Sequence, residues 1–249
     1  MPPYTTDIGN AYLEATTNEK VCIKAGPEFG TRMNHLLIIH KALYGLRSSA
    51  KRFGDLLASC LREQGFFQSL ADSQIFMREN NGIYEYIATW VDDLTMLLRD
   101  PEKFLVILQS HPYNFKLKGS GPISFHLGCG FERDSNGVLT MNPIKYSEKL
   151  VFSYHQMFGK KPSTRFHSPL EENDHSELDT TKFLDNENTE RYQSMIGALQ
   201  WIISIGRWDI QTHVMTLSSF RSQPRIGHLS RVKRIYGYIY KFKHFTIKF

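Results

Sequence analysis

Three aspartates are the residues with most scope for chemistry. Asp92 and Asp93 stand side by side in Tyr86–Leu98, YIATWVDDLTMLL, between two apolar runs that each have the length and composition of a strand. Adjacent charges are unfavourable inside a buried strand. They therefore belong in the turn between two strands, exposed at the tip of a rigid hairpin. Asp at such a tip also serves simply as a turn residue. Asp7, in DIGNAYLEA, is a third carboxylate at the end of a short strand, and it meets the pair if the strands are neighbours in one sheet. Hard divalent cations such as Mg²⁺ take oxygen ligands, commonly one or two carboxylates plus substrate phosphates. Two such ions about 4 Å apart activate an attacking hydroxyl and stabilise a leaving phosphate oxygen. Asp7 and Asp92 are the natural bridging pair for that chemistry.

A second stretch is KALYGLRSSAKRF, Lys41–Phe53. Gly45 breaks the chain just before a helix whose first turn carries Arg47, Ser48 and Ser49. Free N–H groups at a helix N-terminus suit a nucleotide or a nucleic-acid strand. An ordinary capped loop explains the same residues equally well.

The elements that position these groups follow from periodicity. Phe53, Leu56, Leu57, Cys60 and Leu61 share one face of a helix over Ser49–Glu63, stopped by Gly65. Asn81-Gly82 marks a tight turn between strands at Ile75–Arg78 and Ile83–Val91, and Leu94–Leu98 returns as the partner of the second. Both faces of Ile83–Val91 read as mostly apolar, which suits an interior strand. A helix follows Pro101. Short strands are expected at Val21–Lys24, Leu36–His40, Asn114–Lys118, Ser124–Phe131 and Val138–Met141, and an amphipathic helix over Pro143–Phe158. Residues 161–188 read as a polar, acidic linker, and 189–249 as purely helical.

Apolar residues make up 41% of the 249, aromatics 13% and charged residues 22%, enough for a globular core and too apolar for a disordered chain. No apolar run is long enough to cross a membrane, and no basic-then-apolar leader opens the chain. Cys22, Cys60 and Cys129 lack metal-ligand spacing and read as buried thiols of a reducing compartment. The net charge of +5 is unevenly spread: residues 221–249 carry eight Lys/Arg and no acid, and residues 171–190 carry eight acids and one Lys. The basic end is either a phosphate-binding surface or a solvated helix face.

Taken in order, DIGNAYLEA, KALYGLRSSAKRF, WVDD, FKLKGSGPISFHLGCGF and YQSMIGALQWIISIGRWDI resemble the reverse transcriptase of copia-type LTR retrotransposons over nearly the whole chain. The resemblance implies an α+β fold: a right-hand polymerase palm of antiparallel sheet packed on helices (1–160), then the linker (161–188) and an all-α, basic thumb (189–249). It implies catalysis and metal ligation by Asp7, Asp92 and Asp93, with two Mg²⁺ ions, or Mn²⁺ in their place. Tyr12 matches the aromatic under the incoming sugar, and Tyr44, Gly45 and Ser48 line the nucleotide. Trp90, His126, Leu127 and Gly128 contact the primer. Lys116 or Lys118 would protonate the leaving pyrophosphate. Arg231 and Arg234, interleaved with aromatics, would track the sugar–phosphate backbone of a duplex held by the thumb.

The implied partners are an RNA template, a DNA primer, dNTPs and the other polyprotein parts: fingers, ribonuclease H, integrase, protease and capsid. The implied locations are cytoplasmic virus-like particles and the nucleus. The sequence departs from the family at Trp90, where Tyr is usual, and in having only six residues before Asp7. With the fingers largely missing, weak or no activity is expected of the chain alone. A non-catalytic nucleic-acid-binding remnant is the alternative.

Overall fold

The computed structural model describes all 249 residues, Met1–Phe249, in two compact units, Met1–Ile123 and Ser124–Phe249. In the first unit, β1 (Tyr4–Ile8) leads into a single helical turn, α1 (Ala11–Glu14). A small hairpin of β2 (Cys22–Lys24) and β3 (Leu36–Ile38) precedes α2 (Ser49–Glu63). Then come β4 (Phe67–Gln68), β5 (Ile75–Asn80), β6 (Ile83–Trp90), β7 (Asp93–Leu97), α3 (Pro101–Gln109) and β8 (Leu117–Pro122). Six strands form one antiparallel sheet in the order β4-β5-β6-β7-β1-β8.

One face of that sheet is the core. Ile8, Phe76, Ile87, Leu94 and Met96 are buried with Phe53, Leu57 and Leu61 of α2 and Phe104 and Leu108 of α3. Burying each large apolar side chain contributes about 1.5–3 kcal/mol. Helix α2 has the bounds that its apolar stripe predicts, and Asp100 caps α3 by accepting from the Lys103 N–H at 3.0 Å.

The reading of β6 as apolar on both faces needs correction. Glu85, Ile87 and Thr89 point into the core, whereas Tyr84, Tyr86 and Trp90 lie on an exposed face. Helices cover only one side of the sheet, and the other side is open. The buried Glu85 is satisfied by the Arg78 guanidinium at 2.7 Å and the Arg99 backbone N–H at 2.8 Å.

The second unit begins with β9 (Phe125–His126) and β10 (Cys129–Arg133). It continues through β11 (Leu139–Asn142), α4 (Ile144–Phe158), α5 (Asn186–Ser204), α6 (Gln211–Ser218), α7 (Ile226–Lys241) and β12 (Ile247–Lys248). Its strands order as β12-β11-β10-β9. The run expected as one strand, Ser124–Phe131, is broken by Leu127 and Gly128, both at positive φ (47° and 88°), as a tight hairpin turn requires. Likewise β8 starts at Leu117 rather than Asn114, because Asn114 is itself left-handed at φ 51°.

The division expected near residue 160 falls instead between 123 and 124. Cys129, Leu150 and Tyr154 share one core with Tyr192, Leu199, Val214 and Ile235, so the C-terminal helices pack with β10 and α4. Residues 161–188 are not a solvated linker either. Leu170 and Ser176 are buried, and acids of this segment pair with α7. Charge neutralisation across a long sequence separation explains why a segment so polar folds down.

Candidate active site

The site of the first unit grows from two neighbouring strand ends. In the β1–β7 pairing Asp7 lies opposite Asp93, and in β6–β7 Trp90 lies opposite Asp93. Directly opposed residues of antiparallel strands share a face, so Trp90, Asp93 and Asp7 form one row on the open side of the sheet. Across β8 the row ends at Lys118, opposite Asp7. Asp92 sits in the connecting turn, and its carbonyl accepts from the Ile8 N–H at 2.8 Å, tying the hairpin tip to the end of β1.

Electrostatics support the convergence. Asp7 is half-buried, and its carboxyl is raised above the usual range by desolvation first, then by the negative charges of Asp92 and Asp93. The Lys118 ammonium opposes that shift. Lys118 also crosses Gly9, where an added Cβ would lie 2.8 Å from the lysine Cε. Lys116 is present through its backbone, accepting from the Gly9 N–H at 2.7 Å.

The Tyr12 and Tyr44 rings stand with centroids 4.4 Å apart, and Tyr12 also meets Phe53 edge-on at 6.3 Å. Desolvation, then the charge of Asp92, pushes the Tyr44 hydroxyl up, with Tyr12 and Asp7 adding to it. Asp7, Asp92, Asp93, Tyr12, Tyr44 and Lys118 therefore lie near one another at one end of the sheet. Gly45, at φ 100°, supplies the left-handed turn beside Tyr44.

Ser48 is placed differently from expectation. Its N–H donates to Glu19 Oε1 at 2.8 Å and its hydroxyl to the same oxygen, which holds the Glu19 carboxyl below the usual range. The helix N-terminus expected to take a phosphate already holds this carboxylate. Glu19 is a residue that sequence reasoning missed, and nothing in its local pattern signals the contact.

His126, Leu127 and Gly128 form the β9–β10 turn of the second unit. Arg231 and Arg234 are not free to track a phosphate backbone. Arg231 Nε donates to Asp174 at 2.8 Å and its Nη1 reaches Asp179 at 2.5 Å, while Arg234 Nη1 reaches Glu171 at 2.5 Å. The acidic segment has taken up both charges.

As placed, the three aspartates do not close into a ready three-ligand metal cluster. The donor set nonetheless suits a hard divalent cation. It consists of carboxylate oxygens, and at Asp7 both desolvation and, after it, the repulsion of Asp92 and Asp93 disfavour the charge that a bound cation would stabilise.

Residues 3–164, which hold all three aspartates, match the family described as reverse transcriptase (RNA-dependent DNA polymerase). The chain belongs to that family. This reverse transcriptase is 25% identical over 247 residues to the putative transposon Ty5-1 protein of Saccharomyces cerevisiae, covering 98% of the chain and 78% of the relative. It is 28% identical over 235 residues to the Retrovirus-related Pol polyprotein from transposon RE1 of Arabidopsis thaliana, covering 94% of the chain and 16% of that polyprotein. The RE2 polyprotein of the same plant is 24% identical over 235 residues, covering 94% of the chain and again 16% of the polyprotein. No solved structure matches. By family, the reverse transcriptase is an RNA-directed DNA polymerase, and the fold is mixed α/β with antiparallel sheets, as expected.

Proposed function

We propose that the chain is the polymerase domain of a retrotransposon Pol polyprotein of the copia type, adding deoxynucleotides to a DNA primer on an RNA template. The observation that carries this reading is the meeting of Asp7, Asp92 and Asp93 at one end of the open sheet face. Their carboxylates would hold Mg²⁺. Bound there, the metal supplies charge neutralisation on phosphate oxygens and a more acidic primer hydroxyl.

The chain's own residues do the positioning on which phosphoryl transfer mainly depends. The Tyr12–Tyr44 pair, its rings inclined at 39°, offers an aromatic surface for the sugar. Trp90, 58% exposed in the same row as the acids, offers an apolar face to the primer end. Lys118, held beside Asp7, is placed to give a proton to the departing pyrophosphate. The palm is the first unit's sheet and helices, and the helices of the second unit correspond to the thumb. RNA template, DNA primer and dNTPs are the substrates, with the remaining polyprotein domains as partners.

Two measurements test the reading. Mg²⁺ should raise the thermal midpoint of the chain, and Asp92→Asn should abolish that rise by removing a ligand. Mg²⁺-dependent extension of a DNA primer on an RNA template should fall at least about a hundredfold in Asp92→Asn, the scale on which one electrostatic group matters. Duplex binding without extension, together with a midpoint indifferent to Mg²⁺, would mean a non-catalytic binding module instead.

A further inference from the structure

The second unit contains a hollow in which five cations gather around the rings of Tyr154 and Phe166. It lies between the C-terminal end of α4, the segment that follows it, and α7, with a volume of about 300 Å³. Lys160, Lys161, Arg165, Lys233 and Arg234 line it, together with the hydroxyl-bearing Ser163 and Ser230, and no carboxylate does.

Several cations of this unit are neutralised by acids. Arg231 meets Asp174 and Asp179, Arg191 meets Glu187, Lys243 meets Glu148, and Lys248 meets Asp134. Of the five in the hollow only Arg234 has an acidic partner, Glu171. The other four form no ion pair, although eight acids follow within residues 171–190. Desolvation, then the charges of Lys160 and Arg191, hold the Lys233 ammonium below its usual range. Like charges crowded without compensation are unfavourable unless an anion enters.

Three of the five cations are held against aromatic rings. The Lys233 ammonium lies 4.0 Å from the centroid of the Phe158 ring, and the Phe166 ring carries Arg165 at 4.8 Å and Arg234 at 4.7 Å. Such cation–π contacts fix the charged heads. Gly237, in the middle of α7, lets the chain lie directly on the helix. A Cβ there would stand 2.0 Å from the Ser163 carbonyl oxygen. Guanidinium, ammonium and hydroxyl donors around one small volume outnumber what a planar carboxylate can accept. They suit a tetrahedral anion with several acceptor oxygens.

We propose that this hollow is a phosphate-group site, taking either a diester of a nucleic-acid strand or a free phosphate compound. The proposal rests on the second unit alone and stands apart from the polymerase reading.

The test uses the full chain with inorganic phosphate and pyrophosphate as probes, followed by ³¹P NMR and calorimetry, and with an RNA–DNA duplex followed by anisotropy across a salt series. Saturable phosphate binding should weaken at least tenfold in Lys160→Gln/Lys233→Gln and in Arg165→Gln. The exposed Lys103→Gln of α3 should leave it unchanged. Circular dichroism and the thermal midpoint show whether each variant is folded, and Arg165→Gln, on an irregular segment, stands in if the double variant is not. Loss of two contacts reduces the salt slope of duplex binding by about 2 if strand phosphates enter the hollow. An unchanged slope with weakened phosphate binding assigns the site to a free phosphate compound. If folded variants bind phosphate and duplex as the parent does, the proposal fails, whatever primer extension shows.

Discussion

Val91 shows at the scale of one residue what the candidate site demands of the backbone. It is β-branched and lies at φ 56°, in the two-residue turn between Trp90 and Asp93, which face each other across the hairpin. A left-handed L-residue costs roughly 1–2 kcal/mol, and a β-branched side chain is among the least tolerant. Strain of this kind persists where the surroundings over-determine it, and here the Asp92 carbonyl is fixed by the Ile8 N–H. Val91→Gly should therefore raise the thermal midpoint by a few degrees, about 1 kcal/mol, because glycine enters that region freely. Primer extension should fall in the same variant as the aspartate tip loosens. A midpoint that stays level or drops would show that Val91 is not strained. The sequence announces the aspartates through their setting between apolar runs, yet it gives no sign of this strain. A backbone angle is set by the register of β6 on β7, which no local pattern reports.

The elements were legible wherever a local rule decides them. Gly65 ends α2, Asn81-Gly82 turns β5 into β6, and Pro101 opens α3. The open face of β6 was not, because Tyr84, Tyr86 and Trp90 look as apolar as Ile83 and Ile87, and only the placement of α2 and α3 selects the buried side. Glu85 on that buried side makes the point testable. Desolvation would raise its carboxyl, but the Arg99 N–H and the Arg78 guanidinium outweigh it and hold the carboxyl below its ordinary value of 4.5. A carboxyl lowered by folding contributes stability above its unfolded pKa and loses it as pH falls through the folded value. Glu85→Gln should destabilise the chain at pH 7 by roughly 1.5–3 kcal/mol, the worth of hydrogen bonds to a charged group. Denaturation followed from pH 7 to pH 3 should show the difference between the two proteins closing at the acid end. A difference constant with pH would mean that packing, rather than charge, holds Glu85 in place.

On the scale of the molecule, charge is arranged by pairing distant segments, and composition alone misleads. The basic C-terminal run looks like a free phosphate-binding surface, but Arg231 and Arg234 spend their charge on Glu171, Asp174 and Asp179. Unpaired charge gathers instead around one hollow at Lys160, Lys161, Arg165 and Lys233, beside the Gly159 that ends α4. The unit boundary was equally hidden, inside the run GPISFHLGCGF that reads as one motif. Backbone bonds at that point stay on either side: the Ile123 N–H donates to Pro3 and the Phe131 N–H to Ser124. Each unit has its own apolar core, and a domain with its own core can fold alone. Ser124–Phe249 expressed by itself should therefore melt in one cooperative transition, with near-ultraviolet dichroism from the buried Tyr192 and Tyr236. Because the fully buried Arg207 is held by Asp209 at 2.9 Å and by the Phe242 carbonyl at 3.2 Å, all within this unit, Arg207→Met should cost it about 1.5–3 kcal/mol by removing hydrogen bonds to a charged group. The same loss should appear in the full chain, since the partners of Arg207 lie wholly in this unit. A fragment that is soluble but lacks a cooperative melt, or an Arg207→Met penalty confined to the full chain, would show that the second core depends on the first.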